Sequence, residues 1–112
     1  MARRIRNLTI AVALFGIGFL TARPTVTIEG QVTDPSGAAV AAAYVQVVEP
    51  DGTIRNSRTD SQGRYHLAGL FDGDYTVIVS SPGFTRYESE RLHITSARAR
   101  TLDVRLEIQQ QS

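Results

Sequence analysis

The residues of this chain that could do chemistry are two histidines, a few serines, four loop aspartates and a scatter of aromatic rings. Zinc hydrolysis needs histidines at short helical spacing with a carboxylate beside them. His66 and His93 stand far apart, and neither belongs to an H-x-x-E or H-E-x-x-H pattern. Each is flanked by inward-type residues, Tyr65 and Leu67 or Leu92 and Ile94, which places both rings outward on strands. Serine hydrolysis fares no better. Ser57, Ser61, Ser80 and Ser81 lack the G-x-S-x-G elbow that lifts a nucleophile out of its strand. Asp51, Asp60, Asp72 and Asp74 are hard-oxygen donors of the kind calcium takes, but they lack the D-x-D-x-D-G order of a dedicated loop. Three of them stand at turns beside glycine, where a carboxylate accepts backbone amides. No catalytic residue, metal ligand or cofactor is assigned.

Binding chemistry is left. A sugar site needs exposed flat rings beside polar forks. Tyr44, Phe71 and Tyr87 are the candidate platforms, with Gln46 beside Tyr44; Arg86 and His66 can add polar contacts, and there is no Trp. The alternative reading makes Tyr87 a lid on the core edge and Tyr44 an ordinary strand-face residue. A peptide site needs an open strand edge. Residues 53–59 read as a polar strand near an edge, open to an extended protein segment, unless Arg55 and Arg58 act as the charges that deter such pairing.

The elements that must position these residues are short alternating strands. From Glu29 to Phe84 the chain is cut at close intervals by Pro-Ser-Gly, Pro-Asp-Gly, Ser-Gln-Gly, Asp-Gly and Pro-Gly. Between the cuts, apolar residues recur with period 2, the signature of half-buried strands. Val26, Ile28, Gly30 and Val32 share one face; Ala43, Val45 and Val47 share another; then Tyr65 with Leu67, and Tyr75 with Val77 and Val79. Residues 38–43 hold five alanines and Val40, but are too few for a helix that stands alone, so an extended crossover is expected. Further strands are expected over 89–94 and 100–108, with Leu102, Val104 and Leu106 inward. The total is about seven strands in an all-β sandwich.

The N-terminus is a separate object. Arg3, Arg4 and Arg6 precede an uncharged apolar run from Leu8 to Leu20, and Thr21-Ala22 supplies small residues before Arg23. That layout predicts a signal peptide over 1–22, forming a helix, followed by a domain over 23–108 and a polar tail over 109–112. The apolar run is shorter than the ~20 residues a spanning helix needs, so membrane contact is expected only through an uncleaved leader. The 112-residue chain carries +1 net charge with twelve basic residues, all arginine. Loss of the leader removes three of them, leaving nine against eleven acids, or −2. The basic balance therefore belongs to export, and no nucleic-acid partner is expected. There is no cysteine, so the fold stands on its core without disulfides.

The ordered set Gly30-x-Val32-x-Asp34-x-x-Gly37, Thr59-Asp60-x-x-Gly63-x-Tyr65, Gly69-Leu70-x-x-Gly73-x-Tyr75-x-Val77 and Pro82-Gly83-Phe84 resembles the carboxypeptidase regulatory-like domain over roughly residues 25–108. The resemblance implies a transthyretin-like, Greek-key β-sandwich of about seven strands. Such modules stand beside the catalytic domain of some metallocarboxypeptidases, at the N-terminus of TonB-dependent outer-membrane receptors, and as free secreted units; they are not the catalyst. The chain departs from the pattern twice. Ala41-Ala42 replaces a Pro-Gly, and Phe71-Asp72 replaces a Pro-Pro. The expectation is a non-catalytic binding or accessory module of the cell envelope, secreted or periplasmic, monomeric or part of a larger assembly. A carbohydrate-binding module and a detached receptor domain are its alternatives, with a glycan or an extended protein segment as partner.

Overall fold

A computed structural model of the chain describes residues 23–96 and 99–110; the expected export segment, 1–22, lies outside them. Among the described residues there is no helix. Nine strands follow in order: β1 (Val26–Thr33), β2 (Tyr44–Val48), β3 (Ile54–Arg58), β4 (Arg64–Leu70), β5 (Gly73–Ser80), β6 (Tyr87–Glu88), β7 (Leu92–Ile94), β8 (Arg100–Thr101) and β9 (Val104–Arg105). One sheet runs β4-β1-β8, with β9 continuing along β1; the other runs β3-β2-β5-β6, with β7 continuing along β5. Their inner faces meet in a single core. Ile28, Val32, Val45, Val47, Val77 and Val79 are wholly buried there, each side chain contributing about 1.5–3 kcal/mol of transfer free energy.

The count is nine rather than seven because β6 precedes the strand expected over 89–94, of which Leu92–Ile94 forms β7, and the strand expected over 100–108 is broken into β8 and β9. Along β5 the register moves by one residue between Ile78↔Glu88 and Tyr75↔Leu92. The extra residue makes a β-bulge. Ser89 fills it: its hydroxyl accepts the Val77 amide at 2.9 Å and its own amide donates to Val77 O at 2.8 Å. The break between β8 and β9 has another cause. Both pair parallel to β1 in one register, but Leu102 turns its carbonyl toward Gly30, where a Cβ would lie 1.8 Å from that oxygen. The buried Tyr65 hydroxyl donates to the same carbonyl at 2.6 Å. Asp103 then accepts the Gln31 amide at 2.9 Å in place of a ladder bond. Gly30 is glycine because the chain passes through the space of its missing side chain.

The alanine-rich crossover is not helical. Ala39 bridges back to Thr33, Val40 donates to Val32 O, and the chain then turns at Ala41-Ala42. Ala42 takes φ 58°, the left-handed conformation a glycine would adopt without strain. Thr59 holds this turn. Its buried hydroxyl donates to Val40 O at 2.7 Å and accepts from Ala43 N at 2.8 Å. Near the C-terminus the Gln109 amide donates to Gly83 O at 2.9 Å.

Candidate functional site

Each loop carboxylate has a structural partner. Asp60 accepts the amides of Gln62 and Arg64, two and four residues on. The Arg64 bond, ahead of the Gln62 bond, holds its carboxyl below the ordinary 3.8. Asp51 is lowered by its bonds to Thr53. Asp34, bonded to the Ser36 hydroxyl and amide and to the Ala38 amide, is lowered too. Asp72 accepts the Ser96 amide at 2.6 Å, and Asp74 meets His93 Nδ1 at 2.9 Å. The two deep tyrosines are also engaged. Tyr65 reaches Leu102 O and Tyr75 reaches Phe71 O. Burial raises the pKa of both phenols. These groups carry turns and strand breaks, which leaves the outer faces and edges of the sheets to meet a ligand.

The four residues expected to form a sugar platform are not in one place. Tyr44 and Gln46 lie two apart on β2 and face outward from the sheet. The Tyr44 ring lies under the Arg58 guanidinium, 5.3 Å from its centroid. Beside it is a depression of about 350 Å³ bounded by Ala42, Tyr44, Arg58, Ser80, Ser81 and Pro82. Tyr87 pairs with Val79, an inward residue, and its ring packs on the core side of the same sheet. Phe71 precedes β5 while Tyr44 pairs with the last residue of β5. Roughly 25 Å of strand separates them, and the Phe71 ring is covered by Arg23 at 3.9 Å. Arg86 pairs with Glu88 at 3.4 Å, and His66 belongs to the other sheet. The structure thus brings together Tyr44 and Gln46, and separates Phe71 and Tyr87 from them.

Apart from His66, a second surface comes from residues that sequence reading did not single out as binding groups. On the outer face of the β4-β1-β8 sheet, Glu29 stands opposite His66 and beside Thr101, and Gln31 stands opposite Arg64. With Asp103 they line a polar groove of about 520 Å³, whose one exposed ring is the His66 imidazole. Their signal was present as the polar alternates of β1 and β4. What was missing was the pairing of β1 with β8, some seventy residues away, which assembles the rows.

Arg55, one of the two candidate edge charges of β3, is engaged with the other sheet. Its guanidinium reaches across to β4 and donates to Ala68 O at 2.7 Å and Gly69 O at 3.2 Å. Those carbonyls belong to the place where β4 slips register against β1. Ser57 likewise approaches His66 O at 3.4 Å. Side chains of β3 therefore cap the open edge of β4.

Comparison with known proteins agrees with this architecture. Serine-aspartate repeat-containing protein E of Staphylococcus aureus is 42% identical over 53 residues, covering 46% of this chain and 5% of that protein. Bone sialoprotein-binding protein of the same species matches to the same extent. The chain therefore spans about a twentieth of the length of these relatives. Among solved structures, hydroxyquinol 1,2-dioxygenase of Pseudomonas putida superposes with TM-score 0.64 at 11% identity, over 80% of this chain and 58% of that one. A candidate carbohydrate binding protein of Bacteroides uniformis gives 0.61 at 20%, over 76% and 42%. The minor pilin GBS52 of Streptococcus agalactiae gives 0.60 at 16%, over 80% and 47%. At these identities the likeness is one of fold. The family model for the carboxypeptidase regulatory-like domain matches residues 27–107. That span takes in both sheets and the whole ordered set of turn glycines and buried tyrosines, so the chain belongs to the carboxypeptidase regulatory-like domain family.

Proposed function

We propose that this chain is a non-catalytic binding module that works outside the cytoplasm, at the cell envelope. The observation that carries the reading is the placement of its functional groups. Interior hydroxyls and turn carboxylates are tied to the backbone, while polar side chains and one partly exposed ring lie on outer strand faces. A scaffold of this kind presents surfaces; it does not assemble a nucleophile with its base. Similarity to a segment of a protein named for binding bone sialoprotein, and to a pilin fold, supports an extracellular setting. The leader-like residues 1–22 support export.

Within that reading a glycan is the ligand class, and the outer face of β2 is its surface. Tyr44 supplies a flat ring, Gln46 an amide fork, and the depression beside Tyr44 room for one sugar ring. The fold shared with the Bacteroides uniformis protein adds support. The test is a glycan array followed by calorimetry on the glycans retained. Tyr44→Ala with Gln46→Ala should weaken binding by tenfold or more, about 1.4 kcal/mol, while Arg86→Ala changes it little. Unchanged affinity in the double variant removes this face, and an array without a hit removes the ligand class.

A further inference from the structure

The longest uncapped edge of the sandwich is β3. Its ladder with β2 is framed by Thr59 N donating to Ala43 O at 3.0 Å and Glu49 N donating to Thr53 O at 2.7 Å. That parity commits the main chain of Arg55 and Ser57 to β2, and it turns the amides and carbonyls of Ile54, Asn56 and Arg58 outward. All three residues are exposed. Their outward backbone groups have no hydrogen-bond partner among the described residues. The other edges are closed. β4 is capped by Arg55 and Ser57, β6 and β7 are split at Ser89, and β8 and β9 are two residues each.

Edge strands normally carry charges, bulges or prolines that keep another strand away. β3 has no proline and no break in its five-residue register. Its two charges are both turned aside. Arg55 reaches back onto β4, and Arg58 folds over Tyr44 of its own sheet with a bond to Ala42 O at 3.2 Å. An exposed isoleucine, Ile54 at 49%, stands on the same edge.

We propose that β3 pairs with β3 of a second copy, antiparallel, about a two-fold axis at Asn56. The register follows from charge and from the outward groups. With the axis at Asn56, each Ile54 faces Arg58 of the other copy, Arg55 faces Ser57, and Asn56 faces Asn56. No arginine stands opposite an arginine. All three outward residues of both copies are used, for about six main-chain hydrogen bonds. An axis at Arg55 would oppose two guanidinium-bearing residues directly, and an axis at Ser57 would leave both Ile54 residues outside the strand overlap. The result is one continuous sheet across two sandwiches, with an isologous interface. Its contact is far below the ~800 Å² per partner of a standard interface, so the dimer is weak and concentration-dependent.

The chain has no cysteine, which makes the pairing directly readable. In a hydrogen-bonded antiparallel pair the Cα atoms stand about 5.5 Å apart, within the ~4.4–6.8 Å a disulfide spans. Residues 23–112 contain the whole described core and serve as the protein. Asn56→Cys should cross-link to a dimer under mild oxidation. Ile54→Cys and Arg58→Cys should each remain monomeric alone and cross-link when mixed. Asn56→Pro removes an outward amide but no bond to β2, so it should keep its melting temperature and lower self-association at least tenfold by sedimentation. Asn56→Cys staying monomeric, or Ile54→Cys cross-linking as fast by itself, overturns the proposal. Should Asn56→Pro unfold, the cross-linking pattern still decides.

Discussion

At the scale of single residues, the chain spends its chemistry on geometry. Asp34, Asp51 and Asp60 each follow or precede a turn glycine and close the turn by accepting amides two to four residues on. Their carboxyl pKa values are all lowered from 3.8. A carboxylate held below its unfolded value adds stability that is fully present above that value. The contribution is lost as pH falls through the lower, folded value. The urea midpoint should therefore hold steady from neutral pH to about 5 and fall once pH drops below 3.8. Asp60→Asn keeps an acceptor oxygen but cannot titrate, so it should flatten part of the acid limb and leave the neutral midpoint nearly in place. An acid limb with the same slope in the variant would show that Asp60 binds its proton equally well in both states. The deep tyrosines act at the other end of the scale. Their raised pKa values favour the neutral phenol in the fold, so their contribution is complete below pH 10 and is lost as pH rises beyond it.

At the scale of elements, the turn at Ala41-Ala42 shows local propensity yielding to tertiary contacts. Ala42 sits at φ 58° because Thr59 and Val40 hold both sides of the turn. An L-residue in that region costs roughly 1–2 kcal/mol, which glycine does not, although glycine is also more flexible when unfolded. Ala42→Gly should thus raise stability by about 0.5–1 kcal/mol in urea titrations, and a loss would mean the left-handed conformation is not kept in solution. The same region shows what could be read from sequence. Period-2 alternation placed Val26 to Val32, Ala43 to Val47 and Tyr75 to Val79 on the buried side, because burial on one face leaves a local mark. The breaks at Ser89 and Leu102 left no such mark. They arise from how β5 meets the two strands after it and how β1 meets strands some seventy residues away. The candidate sugar platform divides for a related reason. Alternation says that Tyr44 faces out, but only pairing with Val79 shows that Tyr87 faces in. The polar groove likewise depends on β1 meeting β8.

At the scale of the whole molecule, two sheets with one core must be closed along both flanks. One flank is closed by side chains, Arg55 and Ser57 against β4. The other is closed by main chain. Thr85 N donates to Glu107 O, Gln109 N donates to Gly83 O, and Phe84 bridges Ile108. This C-terminal run also carries Leu106, which is wholly buried and whose amide donates to Thr33 O. Ending the domain at Arg105 would remove all of this. Loss of the buried leucine costs about 2–5 kcal/mol, and each of three main-chain bonds about 0.5–1.5 kcal/mol. A domain of this size holds only ~5–10 kcal/mol in total. Residues 23–105 should therefore be mostly unfolded at 25 °C, while residues 23–110 keep the full transition. Far-UV circular dichroism and urea titration followed by tyrosine fluorescence check it, since there is no tryptophan. A cooperative transition surviving in the shorter chain at more than half the urea midpoint would show that the arginine flank and the core alone close the sandwich. The C-terminal run would then be an accessory strand rather than a seam.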